Sequence, residues 1–158
     1  MLQKYLHIFL ISMVPMIELR GGVPMATAVY GLDYWPSLVV CVIGNMLPVP
    51  IIYLFARKVL LWGMDKPYIG KFFTYCVEKG ERGGQKLVKK AGRGGLFVAL
   101  MLFVGIPLPG TGAWTGTLAA SFLDMGWKST TGAVSLGVLI AGVIMAIGST
   151  GVFAVLGF

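Results

Sequence analysis

Four long apolar stretches make up most of the chain, and two of them are uninterrupted. The stretches over 36–56 and 130–156 contain no charged residue. A transmembrane helix needs about 20 consecutive, mostly apolar residues. Both stretches are therefore predicted to be transmembrane helices.

The other two apolar stretches are interrupted near their midpoints. The stretch over 5–32 is broken between Pro15 and Pro24, and the stretch over 94–123 is broken between Pro107 and Gly112. Proline removes a backbone donor and obstructs the preceding helical turn, and glycine removes the steric bias toward helix. Each stretch is expected to form two arms of about 12 residues, each about 20 Å long and too short to cross a bilayer.

Broken backbone at membrane depth must be covered by protein or by a water-filled cavity. Each broken stretch could be a re-entrant hairpin, or it could be a broken helix that crosses the bilayer. The distribution of charge favours hairpins, because a second hairpin returns Lys128 to the side of the basic segment over 57–93. The alternative of crossing helices stays open.

The two halves of the chain resemble each other. Leu32-Asp33 precedes Leu123-Asp124 by 91 positions, and Pro15 precedes Pro107 by 92. The predicted fold class is therefore an all-α integral membrane protein with an inverted repeat, as in many transporters. Each half would be a hairpin followed by a transmembrane helix, with repeat 1 over 1–58, a connector over 59–93 and repeat 2 over 94–158.

Composition supports a membrane protein with one basic side. The chain is 57% hydrophobic and 12% charged, with a net charge of +7, whereas soluble domains have roughly 25% charged residues. The basic residues cluster over 57–93, which indicates a cytoplasmic connector rather than nucleic-acid binding. Within it, the segment over 67–79 is predicted to be an amphipathic helix, lying on membrane lipids or packed on the protein's own helices.

Glu18 and Arg20 are the two residues within the broken stretches that are formally charged at pH 7. Ionisable groups inside membranes are costly and usually functional. Glu18 is expected to bind a proton near neutral pH, and Arg20 to anchor an anion through its planar fork. The structural alternative is a mutual salt bridge that only holds the break.

Backbone groups at the two breaks could complete a binding site. Glycine allows close approach to backbone N–H groups, and the arm after each break begins with a helix N-terminus, which favours anions. Asn45, in the first span, could line a cavity or bond a neighbouring helix. The candidate substrate- and proton-binding residues are Glu18, Arg20, Gly21, Gly22, Pro24, Asn45, Pro107, Pro109, Gly110, Thr111 and Gly112.

The sequence offers no pattern typical of enzymes or of metal proteins. Cys41, Cys76 and the single His7 form no metal-ligand set, and no catalytic triad or nucleotide-binding loop is present. No cofactor, no metal and no enzymatic activity are therefore expected. Because two spans and two hairpins make a thin wall, a homodimer is expected to shield the broken backbone.

The segments Pro15-Met16-Ile17-Glu18-Leu19-Arg20-Gly21-Gly22-Val23-Pro24 and Pro107-Leu108-Pro109-Gly110-Thr111-Gly112-Ala113-Trp114 resemble the signature segments of the small multidrug export family. The family is also distantly similar to DedA-type (SNARE-associated) membrane proteins. The resemblance implies a multi-pass protein of a prokaryotic cytoplasmic membrane. The DedA similarity implies paired re-entrant hairpins and transport of isoprenyl-phosphate or phospholipid carriers, which could be proton-coupled.

The resulting functional expectation is a small secondary transporter or lipid-carrier translocase. Its substrate would be amphiphilic and anionic, resembling an isoprenyl phosphate. Glu18 would titrate, Arg20 would hold the anion, and the glycines of both breaks would supply backbone donors. A proton-coupled multidrug exporter, an ion channel and a non-transporting membrane scaffold remain as alternatives.

Overall fold

The computed structural model describes residues 1–15, 17–108 and 111–156, with backbone only at 76, 77, 79–81, 83, 84, 87, 88, 91 and 149–156. Within these residues the fold is all-helical. Its helices are α1 (Leu2–Met13), α2 (Glu18–Pro24), α3 (Tyr34–Met46), α4 (Pro48–Met64), α5 (Gly70–Gly105), α6 (Ala113–Phe122) and α7 (Trp127–Leu156).

Helices α1 and α5 end for the same reason, at equivalent places in the two halves. Val14 follows α1 with φ −74° and ψ 131°, and Ile106 follows α5 with φ −79° and ψ 119°. Each of these residues precedes a proline, whose ring disfavours the helical conformation in the residue before it. Both apolar stretches are therefore interrupted by a proline, as the sequence predicted.

The first break is shorter than the sequence predicted. Helix α2 begins at Glu18, so Gly21, Gly22 and Pro24 lie inside a helix rather than at an open tip. The amide of Gly21 donates to the carbonyl of Ile17 at 2.9 Å and is not free for a ligand. Pro24 is followed directly by one π-helical turn, Met25–Val29, and such turns commonly accompany a proline kink.

Two helical segments are long and apolar enough to cross a membrane. They are Tyr34–Met64, which comprises α3 and α4, and Trp127–Gly148 within α7. The predicted spans over 36–56 and 130–156 fall largely within them. Leu47 keeps helical angles between α3 and α4, and Pro48 takes the first position of α4, where its missing N–H has no cost.

The outer face of α3 and α4 is apolar and exposed. Val39, Ile43, Leu47, Ile51 and Leu54 recur at helical spacing, and each is between 46% and 64% exposed. Soluble monomers rarely expose a continuous apolar stripe of this length. This face has the chemistry of a surface in contact with lipid.

The same close helix contact occurs in both halves. A Cβ on Gly44 of α3 would meet the carbonyl oxygen of Phe9 at 2.6 Å, so α1 and α3 touch through their backbones. A Cβ on Gly137 of α7 would meet the carbonyl oxygen of Met101 at 2.7 Å, so α5 and α7 touch in the same way. Small residues permit this approach in membrane helix pairs.

The connector over 59–93 contains the end of α4 and the first part of α5. Gly92 interrupts α5 with φ 71° and ψ 177°, next to the boundary at 93/94 that the sequence indicated. Phe73 packs on α4 at Gly63, where a Cβ would meet its ring, whereas Phe72 is exposed. The predicted amphipathic segment thus contacts the protein's own helix through one of its two phenylalanines.

Two polar contacts involve residues at the ends of the broken stretches. The Lys4 ammonium donates to the carbonyl of Tyr30 at 3.0 Å, near the end of the first stretch. Arg57, which follows the predicted span over 36–56 and lies within α4, forms an ion pair with Asp124, just after the second stretch. Asp124 therefore lies at the level of the basic connector.

Candidate functional site

The carboxylate of Glu18 binds the beginning of helix α6. Its Oε2 accepts the amide of Ala113 at 3.1 Å, and its Oε1 accepts the amide of Trp114 at 3.0 Å. Glu18 is only 5% exposed. Helix N-termini carry free N–H groups and a partial positive charge, so they stabilise an anion. A carboxylate from the first break thus fills the anion site offered by the second.

The guanidinium of Arg20 binds the other side of the same break. Its Nη1 donates to the carbonyl of Leu108. Its Nη2 donates to the carbonyl of Ile106 at 3.2 Å and to the hydroxyl of Thr111 at 2.8 Å. These carbonyls follow the C-terminal end of α5, where the helix dipole is negative. The three contacts use the planar fork that distinguishes arginine from lysine.

No salt bridge joins Glu18 to Arg20, although both side chains are described. Positions i and i+2 diverge on a helix, and α2 holds them apart. Each charge instead neutralises one helix end of the second half. The second break carries no charged side chain of its own, and the first break supplies both charges.

Trp114 makes the reverse connection from the second break to the first. Its indole Nε1–H donates to the carbonyl of Met13, the last residue of α1, at 3.1 Å. Trp114 was not among the residues predicted for the site, because tryptophan in membrane proteins is most often an interfacial residue. The position of Trp114 two residues after Gly112 was the available signal.

Gly112 provides the space for the Glu18 carboxylate. Its φ of 150° lies in a region that L side chains rarely adopt, and a Cβ there would meet Cδ of Glu18 at 2.7 Å. Gly22 has a different role from the one predicted, because a Cβ on it would overlap Ser12 and Cys41. It therefore allows α2 to pack on α1 and α3.

Of the remaining candidate residues, Asn45 and Pro107 lie among the described residues. Asn45 is 2% exposed on α3, and its Oδ1 has no hydrogen-bond partner among the described residues. Pro107 lies in the loop after α5. Pro109 and Gly110 lie outside the described residues. Within the described part of the chain, no cluster of three or more potential metal ligands occurs.

The arrangement holds one anion, the Glu18 carboxylate, at the start of α6. A charged carboxylate makes stronger hydrogen bonds to amides than a neutral acid does. The charge on Glu18 therefore controls how firmly the two breaks are joined. Arg20 keeps its charge at any physiological pH and holds the loop after α5 in either case.

Comparison with known proteins adds one finding to this geometry. Searches of curated proteins and of solved structures gave no match. The family described as "Putative small multi-drug export protein" matches residues 18–144, from Glu18 through most of the second candidate span. Because this match covers far more than half of the chain, the protein belongs to the small multi-drug export family.

Proposed function

We propose that the protein is a proton-coupled membrane exporter of small amphiphilic molecules, in which the carboxyl group of Glu18 binds the coupling proton. The observation that carries the proposal is the buried Glu18 carboxylate held by the amides of Ala113 and Trp114. The description of the family to which the chain belongs also supports export.

Protonation of Glu18 would provide two states of the site. In the charged state, the carboxylate binds the amides at the start of α6 and holds α6 against α2. In the neutral state, the two hydrogen bonds lose their charge assistance. A hydrogen bond to a charged group contributes about 1.5–3 kcal/mol to stability, whereas a neutral one contributes about 0.5–1.5 kcal/mol. The start of α6 can then separate from α2 and expose the amides.

In this proposal, Arg20 holds the loop after α5 against α2 and does not bind a substrate anion. Its guanidinium already contacts two carbonyl oxygens and the hydroxyl of Thr111. Since these contacts do not depend on the protonation of Glu18, the loop after α5 stays attached to α2. The movement is thereby confined to the α6 side of the break.

A cationic amphiphile fits the export cycle best. Once α6 has separated from protonated Glu18, a substrate cation can displace the proton and pair with the carboxylate. Exchange of one for the other couples export to proton entry. An anionic amphiphile, such as an isoprenyl phosphate, is the second candidate. It is favoured by the fact that the amides of Ala113 and Trp114 already hold an anionic group.

The proposed setting is a prokaryotic cytoplasmic membrane, with two re-entrant hairpins in an inverted repeat. Proximity of Lys4 to Tyr30 supports a hairpin in the first half, and the Arg57–Asp124 pair supports one in the second. The matching contacts at Gly44 and Gly137 support a repeat. A homodimer would cover the broken segments from lipid.

The test is transport by purified protein in liposomes with an imposed pH gradient. A fluorescent cationic dye and a fluorescent isoprenyl phosphate serve as separate substrates. We expect gradient-driven transport by the unaltered protein and by Glu78→Gln, which removes an exposed carboxylate. Glu18→Gln should fall to the level of protein-free liposomes while its thermal unfolding stays cooperative.

The two substrates separate the two candidates. Transport of the dye alone supports cation export, and transport of the isoprenyl phosphate alone supports the anionic alternative. If folded Glu18→Gln couples transport to the gradient as well as the unaltered protein does, Glu18 is not the proton carrier and the mechanism is wrong.

A further inference from the structure

A cavity of about 850 Å³ opens at the end of the molecule where α7 begins. This is the size of small-molecule binding sites, which span roughly 300–1,000 Å³. Its walls come from α5, from the turn between α6 and α7, and from the first turn of α7. Its lining residues lie far along the chain from Glu18 and Arg20, and neither of these two residues lines it.

The cavity is strongly basic. Lys89, Arg93 and Lys128 line it, and among the described residues none of the three forms an ion pair. The one carboxylate in its wall belongs to Asp124, which is engaged by Arg57. Three cations therefore face the cavity without a counter-charge from a described neighbour.

Backbone geometry adds to this positive charge. Helix α7 begins at Trp127 and runs for 30 residues, so the unpaired amides of its first turn and its positive dipole end lie at the cavity wall. On α5, the positive φ of Gly92 changes the helix direction between Lys89 and Arg93. Both of these side chains nevertheless line the same cavity.

Part of the remaining wall is apolar and lies where a membrane surface would be. Leu96, Leu123 and Trp127 line it, and Trp127 is the first residue of the second candidate span. Tryptophan is enriched at headgroup depth. Basic pockets at this depth suit an anionic headgroup whose acyl chain continues along an apolar wall.

We propose that this cavity binds the phosphate headgroup of an anionic phospholipid. Lys89, Arg93, Lys128 and the first amides of α7 receive the phosphate, and the acyl chain leaves along Leu96 and Leu123. The proposal does not depend on the export activity, since it concerns different residues and a different ligand.

The experiment uses quenching of tryptophan fluorescence in vesicles, with Trp127→Phe separating the Trp127 signal from that of the other three tryptophans. Full-length protein is placed in vesicles containing brominated phosphatidylglycerol or, at the same fraction, brominated phosphatidylcholine. We expect stronger quenching by the anionic lipid, and loss of this difference in Trp127→Phe. Combined Lys89→Gln, Arg93→Gln and Lys128→Gln should lower the preference roughly fivefold for each charge removed.

A matched variant controls for net charge. Combined Lys58→Gln, Lys86→Gln and Lys90→Gln removes three exposed charges that do not line the cavity, and it should retain the preference. Equal quenching by both lipids, or equal loss in the two triple variants, would overturn the proposal. So would loss of the preference in millimolar inorganic phosphate at constant ionic strength, because the site would then be one for free phosphate.

Discussion

The carboxylate of Glu18 lies directly against the α-carbon of Gly112, across the contact between the two breaks. Both residues have positive φ, 50° at Glu18 and 150° at Gly112. Such conformations persist where the surrounding structure imposes them, and they cluster at functional sites. Two residues with unusual backbone conformations thus meet where a buried charge contacts a helix end.

Gly112→Ala tests this contact. The added Cβ would overlap the Glu18 carboxylate, and the alanine would have to adopt a φ of 150°. We expect a loss of about 1–3 kcal/mol in the free energy of unfolding from the backbone alone, together with loss of transport. Thermal unfolding in detergent and the liposome assay measure the two effects.

Gly94→Ala is the control for that substitution. Gly94 lies in α5 with open space around its α-carbon, so alanine should be neutral or slightly stabilising. Unchanged stability in Gly112→Ala would show that Glu18 does not occupy this position.

Arg20 and Thr111 should be energetically coupled. Lysine at position 20 presents a single ammonium in place of a fork, so Arg20→Lys is expected to cost about 1–3 kcal/mol of stability. Thr111→Val removes the hydroxyl that Arg20 contacts at 2.8 Å. A double-mutant cycle on unfolding free energy should give a coupling of about 0.5–3 kcal/mol.

A control for this cycle is provided by Arg82 and Glu78, an exposed pair at 3.3 Å. Arg82→Lys should change stability by less than about 0.5 kcal/mol. Strict additivity of Arg20→Lys and Thr111→Val would contradict the contact.

Gly44→Ala and Gly137→Ala should have similar effects. Each added Cβ would press on a backbone carbonyl of the facing helix, and overpacking of this kind typically costs about 1–3 kcal/mol. Unfolding midpoints of both variants, compared with Gly148→Ala in open space, measure the effect. A large cost at one glycine and none at the other would argue against equivalent packing in the two halves.

The hairpin arrangement predicts opposite labelling of Asp33 and Lys128. Each is replaced by cysteine in a Cys41→Ala, Cys76→Ser background and exposed to a membrane-impermeant thiol reagent. We expect Lys128→Cys to react from the cytoplasmic side, together with Lys58→Cys, and Asp33→Cys to react from the other side. Reaction of Asp33→Cys and Lys128→Cys from the same side would exclude the inverted repeat.

The sequence by itself determined where the apolar stretches break and which groups are charged there. Proline disfavours the helical conformation in the residue before it, which favoured helix ends at Val14 and Ile106, although Leu47 before Pro48 stays helical. Glu18 and Arg20 stood out because ionisable groups are rare in apolar segments. The resemblance to the small multidrug export family, confirmed over residues 18–144, was first indicated by the segments around the two breaks.

Only the tertiary structure decided what these residues contact. Glu18 and Arg20 bind backbone groups about 90 positions away. Because backbone amides and carbonyls are the same in almost every residue, the sequence does not identify these groups as binding partners. Gly21 and Gly22 satisfy the local requirements of a tip and of a helix alike, and packing against Ser12 and Cys41 places Gly22 in a helix. Local sterics thus set the breaks, whereas long-range packing set their partners.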